Sequence, residues 1–384
     1  MRIAHLWQDY SPNLFDKAHP LCMAHGHDSE VVCLAFIDNG AAALPATFAV
    51  RHRNPAESNS RSLTDRLIRR LRRPADERRF ARLVAQRVAA FRPDLLHLHF
   101  GTTAALLQRL GALPDLPLVV SFYGVDVSQS LQDPAVVRAY RTVGARATVL
   151  HVLCDAARQR LLDIGCPATS IRIANLPANV EAMPDLGVDI TGTTRFLIPA
   201  RFVEKKGHRL LLQAFKRLHD DGLPATLTCF GYGPSDWLAQ AIAEAGLSDA
   251  VRVVNNGQSG NFAAEYEAML RDHDVVLAPS IRSRNGDDEG GPALTLVMAQ
   301  AAGKPVIVSD FPGAERSVTD GCEGVVVPAG DATALHRAMS ALAAQPQCWH
   351  ALGQAGRQRV MREFSDQAYW NVLSDWYAQA AVHE

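Results

Sequence analysis

Residues 195–215 read RFLIPARFVEKKGHRLLLQAF and combine a short apolar run, a polar loop and an amphipathic segment. The apolar run at 195–200 predicts a buried strand, because it is short and is followed directly by polar residues. Leu210, Leu211 and Phe215 share one face at helical spacing, and they predict a helix over 208–219. A strand, a loop and a helix in this order form the first part of a βαβ unit, which builds parallel sheets.

The same alternation extends over most of the chain, so the sequence predicts two doubly wound domains. The predicted strands are 2–7, 30–36, 95–99, 117–123, 147–153, 195–200, 225–231, 251–254, 274–279, 304–309 and 323–328. The predicted helices are 14–25, 62–91 with a break at Pro74, 101–111, 133–144, 155–163, 208–219, 236–246, 262–272, 292–302 and 332–344. Residues 175–194 carry prolines and glycines without periodicity, which is typical of a linker.

The predicted fold class is therefore α/β, with two facing Rossmann-like domains and a cleft between them. We place the first domain at 1–180, the linker at 181–194 and the second domain at 195–364. A C-terminal helix at 365–384 is expected to pack back on the first domain. Ligands of open parallel sheets bind outside the carboxyl ends of the strands, so residues just after strands are the candidate site residues.

Composition is that of an ordinary globular protein, with 48% apolar residues and a net charge of −1 over 384 residues. Apolar runs are far shorter than a bilayer requires, and the first ten residues do not resemble a signal peptide. We therefore expect a cytoplasmic protein. The cysteines show no paired spacing, which predicts free thiols at 22, 33, 154, 166, 229, 322 and 348.

Charge is uneven between Arg51 and Arg92, where 13 arginines face four acidic residues. Three interpretations stay open: a solvated helical face, a surface for anionic lipid or a phosphate-bearing acceptor, and a nucleic-acid surface. An apolar stripe favours the lipid interpretation over nucleic acid, and it consists of Leu63, Leu67, Ile68 and Leu71.

Several polar residues follow predicted strands of the first domain. His97 is expected to be a packed histidine of a buried strand, whereas His99 at the strand end could equally pack or carry a hydrogen-bonding or proton-shuttling role. Gly124 permits a tight turn in the segment YGVDVS. Asp126 could accept a hydrogen bond from a sugar hydroxyl, or it could cap the following segment.

In the second domain, Arg201 follows a strand and Lys205 and Lys206 precede a helix, so these cations could clamp a diphosphate. Residues 289–309 read EGGPALTLVMAQAAGKPVIVS. Gly291 as N-cap and Pro292 at the first position predict a helix start whose free amides suit an anion. Leu294, Val297, Met298 and Ala301 then form an apolar stripe that is typical of core packing.

These segments together resemble family 4 of the retaining glycosyltransferases, which have the GT-B fold, and the resemblance extends over essentially the whole chain. Its motifs here are MRIAHL, HLHFGTTA, SFYGVDVS, ARFVEKKGH, CFGYGP, DEGGPALTLVMAQAAGKPVIVSD and EGVVVPAGD. The branch that builds bacterial exopolysaccharides and lipopolysaccharides is similar in its SFYG and EKKG segments.

The resemblance implies a role for each matching residue. Arg201 and Lys206 match the pair that holds the donor diphosphate, and Glu289 matches a glutamate near the donor sugar. His99 is assigned with them to the catalytic set. The implied donor-binding set is Gly290, Gly291, Ala293, Leu294, Gly231, Gly233 and Met298. The implied acceptor-side set is Tyr123, Gly124 and Asp126.

The sequence departs from the family at three places. A second glutamate that binds the nucleotide ribose is absent, because Val297 and Met298 occupy the two possible registers. Tyr123 stands where a histidine is common, and QDYSPNLFDKA replaces a glycine-rich loop after the first strand. We therefore expect an active enzyme with altered nucleotide recognition.

The resemblance implies transfer of a sugar, with retention, from a nucleotide-diphosphate sugar to a glycan or polyprenyl-diphosphate-linked acceptor in cell-surface polysaccharide synthesis. It implies neither a metal nor another cofactor, and no nucleic-acid partner. The enzyme is expected in the cytoplasm, with peripheral binding to the inner face of the membrane through Arg51 to Arg92. The alternatives are a non-catalytic sugar-nucleotide-binding protein and a sugar-nucleotide epimerase of the same fold.

Overall fold

The computed structural model describes residues 1–10, 17–37, 47–53, 63–189, 192–257 and 262–382, without the side chains of residues 53 and 63–72. The chain divides into two compact units, and each is described by itself. The first unit is Met1–Ala174 together with Tyr369–Glu384, and the second is Asn175–Ala368. The residues predicted as a linker therefore belong to the second unit.

All strands of the described residues lie in two parallel sheets, one in each unit. The strands are β1 (Arg2–Tyr10), β2 (Asp28–Ile37), β3 (Thr47–Arg53), β4 (Leu95–His99), β5 (Leu118–Ser121), β6 (Val149–Val152), β7 (Ile171–Ile173), β8 (Thr194–Pro199), β9 (Ala225–Gly231), β10 (Val251–Asn255), β11 (Val275–Ala278), β12 (Val306–Ser309) and β13 (Val325–Val327). The strand order is β3-β2-β1-β4-β5-β6-β7 in the first sheet and β10-β9-β8-β11-β12-β13 in the second. In both sheets the order reverses beside the first strand of the unit, between β1 and β4 and between β8 and β11, and such a reversal is where parallel sheets bind ligands.

Helices connect the strands. They are α1 (Ala18–Ala24), α2 (Leu63–Phe91), α3 (Gly101–Arg109), α4 (Pro134–Arg146), α5 (Asp155–Asp163), α6 (His208–Asp220), α7 (Asp236–Glu244), α8 (Phe262–Asp272), α9 (Leu294–Ala301), α10 (Ala332–Ala344), α11 (Trp349–Glu363) and α12 (Asp366–Ala381). Within the described residues, no helix has both the length and the apolar character needed to cross a bilayer.

The core of each unit lies between its sheet and its helices. In the second unit, α6 buries Leu211, Phe215 and Leu218 completely in the cluster that also holds Phe196 and Ile198 of β8. Full burial of such a side chain contributes about 2 kcal/mol. This packing fixes α6 against β8 and therefore fixes the loop between them.

The α/β fold class is confirmed, and most predicted elements are found within a few residues of their predicted bounds. The predicted break at Pro74 is wrong, because α2 continues through that residue. A proline removes one hydrogen bond and bends a helix, but the turns on both sides can carry the helix past it. β3, β7 and α11 were not predicted. The predicted apolar stripe Leu63, Leu67, Ile68 and Leu71 lies outside the described side chains.

Candidate functional site

The predicted cations of the second unit lie in the loop at the carboxyl end of β8. Glu204–Lys206 form one turn of 3₁₀ helix, and Gly207 follows with φ of 72° at the start of α6. A Cβ atom at Gly207 would lie 1.9 Å from the carbonyl oxygen of Pro279, so a glycine is required where this loop meets the loop after β11. The contact fixes the position of Lys206 relative to that second loop.

Lys206 and Glu289 form a largely buried ion pair. The Lys206 Nζ lies 2.7 Å from the Glu289 Oε1 and 2.9 Å from its Oε2. The Ser280 hydroxyl donates a further hydrogen bond of 2.7 Å to Oε1. Burial acts to raise the pKa of Glu289, but the charges of Lys206 and Lys205 and the two hydrogen bonds outweigh it, so the pKa is lowered. Glu289 is therefore a carboxylate at neutral pH.

Lys205 points into the protein and ties the two loops together. Its Nζ lies 3.1 Å from the Asp287 Oδ1 and donates a hydrogen bond of 3.0 Å to the Asp288 carbonyl oxygen. Its own carbonyl oxygen accepts a hydrogen bond of 2.8 Å from the Ile281 N–H. Lys205 thus supports the segment that carries Glu289, whereas Lys206 holds the carboxylate itself.

Arg201 is exposed, and its side chain has no hydrogen bond or ion pair among the described residues. The loop after β9 runs beside it. A Cβ atom at Gly231 would lie 2.1 Å from the Ala200 carbonyl oxygen and 3.4 Å from the Arg201 nitrogen. Gly233 has φ of 114°, and a Cβ there would lie 3.8 Å from the Phe202 nitrogen. Gly231 is therefore required for the close approach of the two backbones and Gly233 for its positive φ, and the Arg201 guanidinium beside them is accessible.

A small recess lies beside Lys206 at the carboxyl ends of β8 and β11. Its lining includes Ser280, Ala293, Thr295 and Leu296, together with residues at the ends of both strands. The Thr295 hydroxyl does not face a ligand freely, because it donates a hydrogen bond of 3.0 Å to the Pro199 carbonyl oxygen. One wall of the recess is therefore charged and the other walls are mainly apolar.

The segment after Glu289 differs from its prediction. The predicted N-cap at Gly291 is wrong, because α9 begins at Leu294 and its N-cap is Ala293, with φ of −73° and ψ of 110°. Gly290 has φ of 64°. A Cβ at Gly313 would lie 2.4 Å from the Gly291 Cα, so the loop after β12 packs directly on this backbone. The segment between Gly290 and Ala293 is therefore occupied by this contact, and the helix begins only after it, at Leu294.

Val297 and Met298, the two candidates for the missing glutamate position, differ in burial. Val297 is completely buried in the core, whereas Met298 is half-buried and packs against the same cluster. Leu294 is half-buried in the first turn of α9. Neither register therefore places a polar side chain at this part of the site.

In the first unit, His99 lies at the end of β4 inside an aromatic cluster. Its ring stacks on Trp7 with centroids 4.0 Å apart, and its Nδ1 lies 2.7 Å from the Tyr123 hydroxyl. The Nε2 lies 2.9 Å from the Nδ1 of His5. Both ring nitrogens of His99 are therefore engaged, one of them by Tyr123 of the loop after β5.

Asp126 is completely buried and holds that loop. Its carboxylate accepts hydrogen bonds from the backbone N–H groups of Gly101, Tyr123 and Gly124, at 3.0, 2.9 and 2.9 Å. Burial raises the pKa of Asp126 to about 6, and the backbone hydrogen bonds oppose that rise. All three donors precede Asp126 in the chain, so the carboxylate braces its own loop and the start of α3 rather than capping the segment that follows it. Among the residues predicted for the acceptor side, Tyr123 has a half-buried side chain.

Sequence reasoning missed Ser280 and assigned no partner to Lys205 or Lys206. Ser280 follows β11 directly, so the search for polar residues after strands could have selected it. No local pattern indicates the partners of the lysines, since Glu289 lies 83 residues from Lys206 along the chain.

The site of the second unit thus combines an exposed cation, a cation paired with a carboxylate, and a recess at the ends of parallel strands. Positive charge of this kind stabilises an anionic group that binds or departs there. Comparison with known families agrees with that chemistry. The family model for glycosyl transferases group 1 matches residues 189–359, and the model for the glycosyl transferase 4-like domain matches residues 20–176.

The chain is a family 4-type glycosyltransferase of the GT-B fold. The amylovoran biosynthesis glycosyltransferase AmsK of Erwinia amylovora is 28% identical to it over 76% of this chain and 72% of the relative. The putative colanic acid biosynthesis glycosyltransferase WcaL of Escherichia coli is 30% identical over 67% of this chain and 64% of the relative.

Solved structures share the fold of this glycosyltransferase. Anabaena HepE, in complex with UDP and glucose, matches with a TM-score of 0.73 and 16% identity over 98% of this chain and 99% of that one. Sucrose-phosphate synthase of Thermosynechococcus elongatus matches with a TM-score of 0.74 and 17% identity over 99% of both chains. At such identities the likeness concerns the fold alone.

Proposed function

We propose that this glycosyltransferase moves a hexose from a nucleotide-diphosphate sugar to a glycan or lipid-linked glycan, with retention at the anomeric carbon, in the synthesis of a cell-surface polysaccharide. The observation that carries the proposal is the pairing of Lys206 with Glu289 beside the recess at the ends of β8 and β11. The names of the relatives AmsK and WcaL support the polysaccharide context.

The charges of the site suit a departing diphosphate. Arg201 is exposed and offers a planar fork of donors, while Lys206 offers a compact charge at the edge of the recess. As the bond from the sugar to the diphosphate breaks, negative charge grows on the phosphate oxygens, and both cations stabilise it. In this proposal they supply the positive charge that a metal ion supplies in other transferases.

Glu289 serves the same site in two ways. Without a ligand it holds the Lys206 ammonium in place through two contacts. With a donor bound, the ammonium turns partly to the diphosphate and frees lone pairs of the carboxylate to accept hydrogen bonds from sugar hydroxyls. The Ser280 hydroxyl keeps the carboxylate oriented during that exchange.

Nucleotide recognition differs from the family pattern in this proposal. Neither Val297 nor Met298 can bind ribose hydroxyls, so the donor is held mainly through its diphosphate and sugar. Loss of a charged hydrogen bond weakens binding by about ten- to a hundredfold. The enzyme is therefore expected to bind nucleoside diphosphates weakly.

We also propose peripheral membrane association through the arginines of α2. Four of them are exposed and lie where the side chains are described, namely Arg73, Arg78, Arg79 and Arg82. Ion pairs with Glu77 and Asp76 engage Arg73 and Arg79, but their side chains stay 74% and 63% exposed. Replacing the four by glutamine should release the protein from vesicles that contain phosphatidylglycerol, and unchanged binding would reject the idea.

The experiment that tests the function is a transfer assay with purified protein. UDP-, GDP- and ADP-hexoses serve as donors and p-nitrophenyl hexosides as acceptors, with product linkage read by NMR. An α-linked product from an α-linked donor supports the proposal. Inversion, epimerisation of the donor without acceptor, or absence of turnover with every pair contradicts it.

A further inference from the structure

Phe100, which lies between β4 and α3 in the first unit, has a strained backbone. Its φ is 63° and its ψ is 124°. A positive φ is uncommon outside glycine, and it is an outlier for a bulky side chain, because Cβ then approaches the neighbouring backbone. Strained residues of this kind persist where the surrounding structure enforces them, and they cluster at sites that bind ligands. The strain at Phe100 therefore calls for a reason.

Neighbouring contacts hold the strained backbone on both sides. The His99 carbonyl oxygen accepts a hydrogen bond of 2.7 Å from the Thr103 hydroxyl, and the Phe100 carbonyl oxygen accepts one of 2.9 Å from the Thr103 N–H. A Cβ atom at Gly101 would lie 2.0 Å from the Phe122 ring, so the chain passes very close to that ring at this point. These contacts leave the backbone at Phe100 little freedom to relax.

The positive φ brings the Phe100 ring to the opposite face of the sheet. Side chains alternate along a strand, so Phe100 would continue on the side of Leu98, which belongs to the main core cluster. Instead, its ring packs with Trp7 and Tyr123, on the face where Trp7 stacks on His99. Packing of the main core therefore does not explain the strain, which places an aromatic ring beside Tyr123.

The Phe100 and Tyr123 rings together form what we call the aromatic corner. Their centroids are 4.9 Å apart and their planes meet at 78°. Both side chains are half-buried, and they follow β4 and β5 at the carboxyl end of the first sheet. The buried Trp7 ring packs against both, with centroids 6.0 and 6.3 Å away. The corner thus lies beside the reversal of strand order between β1 and β4, where parallel sheets bind ligands.

One buried carboxylate fixes the two sides of the aromatic corner to each other. Asp126 accepts a hydrogen bond of 3.0 Å from the N–H of Gly101, the residue after Phe100, and one of 2.9 Å from the N–H of Tyr123. The Tyr123 hydroxyl lies 2.7 Å from the His99 Nδ1, which holds the second ring in place. A ligand that binds here therefore does not have to order the two rings.

The chemistry of the aromatic corner suits a sugar ring. The face of an aromatic ring is electron-rich. A hexopyranose presents several C–H groups on one face, and their hydrogens carry partial positive charge because each carbon is bonded to oxygen. Phe100 and Trp7 cannot ionise, and burial lowers the pKa of His99 well below its ordinary value, so these three side chains are neutral at pH 7. An anionic ligand would gain no charge partner from them.

We infer that Phe100 is a sugar-binding residue, whose ring is held by a strained backbone at the corner with Tyr123 and stacks on an uncharged hexopyranose of the acceptor. The resemblance to known glycosyltransferases places Tyr123 on the acceptor side but gives Phe100 no role. The inference rests on the proposed function, which supplies a sugar acceptor, and it names the ring that receives that acceptor and the class of sugar that fits.

A pair of substitutions tests the strain. Phe100→Ala and Phe100→Gly both remove the ring, but only the glycine relieves the positive φ. The unfolding equilibrium constant, from urea unfolding, should be about tenfold lower for the glycine variant than for the alanine variant. Phe91→Ala and Phe91→Gly are the control, because Phe91 is a half-buried residue of the helix α2, where glycine should be the less stable of the two. Equal stability of the Phe100 pair, or a more stable alanine variant, overturns the inference.

Sugar binding is tested by saturation-transfer NMR of the full-length protein with the methyl α-glycosides of glucose, galactose and mannose, which carry no aromatic group. At least one should receive saturation at its ring C–H protons in the wild type and in Phe100→Tyr. The signal should fall about fivefold in Phe100→Ala and Phe100→Gly, and it should persist in Phe91→Ala. No saturation in the wild type, or an unchanged signal in both Phe100 variants, overturns the inference. The methyl α-glycoside of glucuronic acid should bind more weakly than that of glucose, and equal or stronger binding overturns the restriction to uncharged sugars.

The transfer assay separates this inference from the proposed function. With the methyl hexosides as acceptors, Phe100→Ala and Phe100→Gly should both raise the acceptor KM by about three- to tenfold and leave the donor KM unchanged. Phe100→Tyr should keep the acceptor KM of the wild type. A normal acceptor KM in the more stable glycine variant would assign Phe100 a structural role and overturn the inference, while the proposed function stands. If the wild type transfers no sugar from any donor, the proposed function fails, and hexoside binding alone then decides the role of Phe100.

Discussion

The Lys206 ammonium lies 2.7 Å from the Glu289 carboxylate, although the two residues are 83 positions apart in the chain. Each residue comes from the loop after one of two adjacent strands, β8 and β11. The side chains are 17% and 8% exposed, so the pair is partly shielded from water. A cation placed in this way interacts more strongly with a phosphate than a surface lysine does.

Lys206→Ala should lower kcat at least about a hundredfold, because the variant lacks a charge that acts mainly in the transition state. The change also removes the charge that lowers the pKa of Glu289, so that pKa should rise. Steady-state kinetics with the best donor checks the first effect. Lys216→Ala, which removes an exposed lysine of α6 paired with Asp220, is the matched control and should keep normal turnover. Near-normal turnover of Lys206→Ala would mean that the donor lies elsewhere.

Gly207→Ala should destabilise the protein far more than Gly222→Ala. Both glycines have a positive φ, of 72° and 74°, so both variants carry a backbone cost of about 1 kcal/mol. A Cβ at Gly207 would meet the Pro279 carbonyl at 1.9 Å, whereas nothing lies within 4 Å of one at Gly222. Urea unfolding of the two variants isolates the steric part. Equal free energies of unfolding would disprove the close contact between the two loops.

Val297→Glu and Met298→Glu should differ in stability and in nucleotide binding. Val297 is completely buried in the core, so a carboxylate there should cost about 3 kcal/mol or more. Met298 is half-buried, and a carboxylate at that position should be tolerated. We expect Met298→Glu to bind UDP or GDP about tenfold more tightly than the wild type, by isothermal titration calorimetry. An affinity equal to that of the wild type would place the ribose away from α9.

Stability should fall as the pH drops below about 6.5. Burial lowers the pKa of His208 to about 3 and that of His151 to about 4, whereas unfolded histidine titrates near 6.5. Between those values the unfolded chain binds more protons, so each histidine destabilises the fold by up to about 1.4 kcal/mol per pH unit. His5, His97 and His99 act in the same direction.

Asp126 opposes this trend, because its pKa of about 6 exceeds the ordinary 3.8 and it stabilises the fold between those values as the pH falls. One carboxyl group does not outweigh the histidines. Urea unfolding between pH 7.5 and 5 measures the slope of the free energy of unfolding against pH. His208→Phe should reduce this slope, because it removes one of the buried histidines. The variant should fold, since neither ring nitrogen of His208 has a hydrogen-bond partner among the described residues. A free energy of unfolding that stays level over this range would contradict the neutral, buried state of these rings.

The sheets were predictable because buried parallel strands are short apolar runs, as in residues 195–200. β7 escaped prediction because three residues, Ile171–Ile173, carry no usable period. β3 escaped because its sequence TFAVRHR contains charged and polar residues that were attributed to the arginine-rich segment. The start of α9 was misplaced because a contact with Gly313, which follows a different strand, keeps the segment after Gly290 extended.

The site was predictable only in part, because several of its contacts join loops that are distant in sequence. Arg201 and Lys206 could be selected because they follow a strand, and the resemblance pointed to Glu289. The bond from Ser280 to Glu289 and the brace from Lys205 to Asp287 depend on two loops that meet through tertiary packing. The buried histidines of the first unit are a further example. His97 and His99 share a visible pattern, whereas Cys22, which contacts His5, and Tyr377, which is hydrogen-bonded to His97, lie far from them in sequence.

The return of residues 369–382 to the first unit has a consequence for biosynthesis. Tyr377 and Trp376 are buried there, and Tyr377 is bonded to His97 of β4. Domains often fold in the order in which the ribosome makes them. Most of the first unit is translated before the second unit, but its core is complete only when α12 has been made. A nascent chain that stalls after residue 368 therefore leaves apolar surface of the first unit exposed to chaperones and proteases.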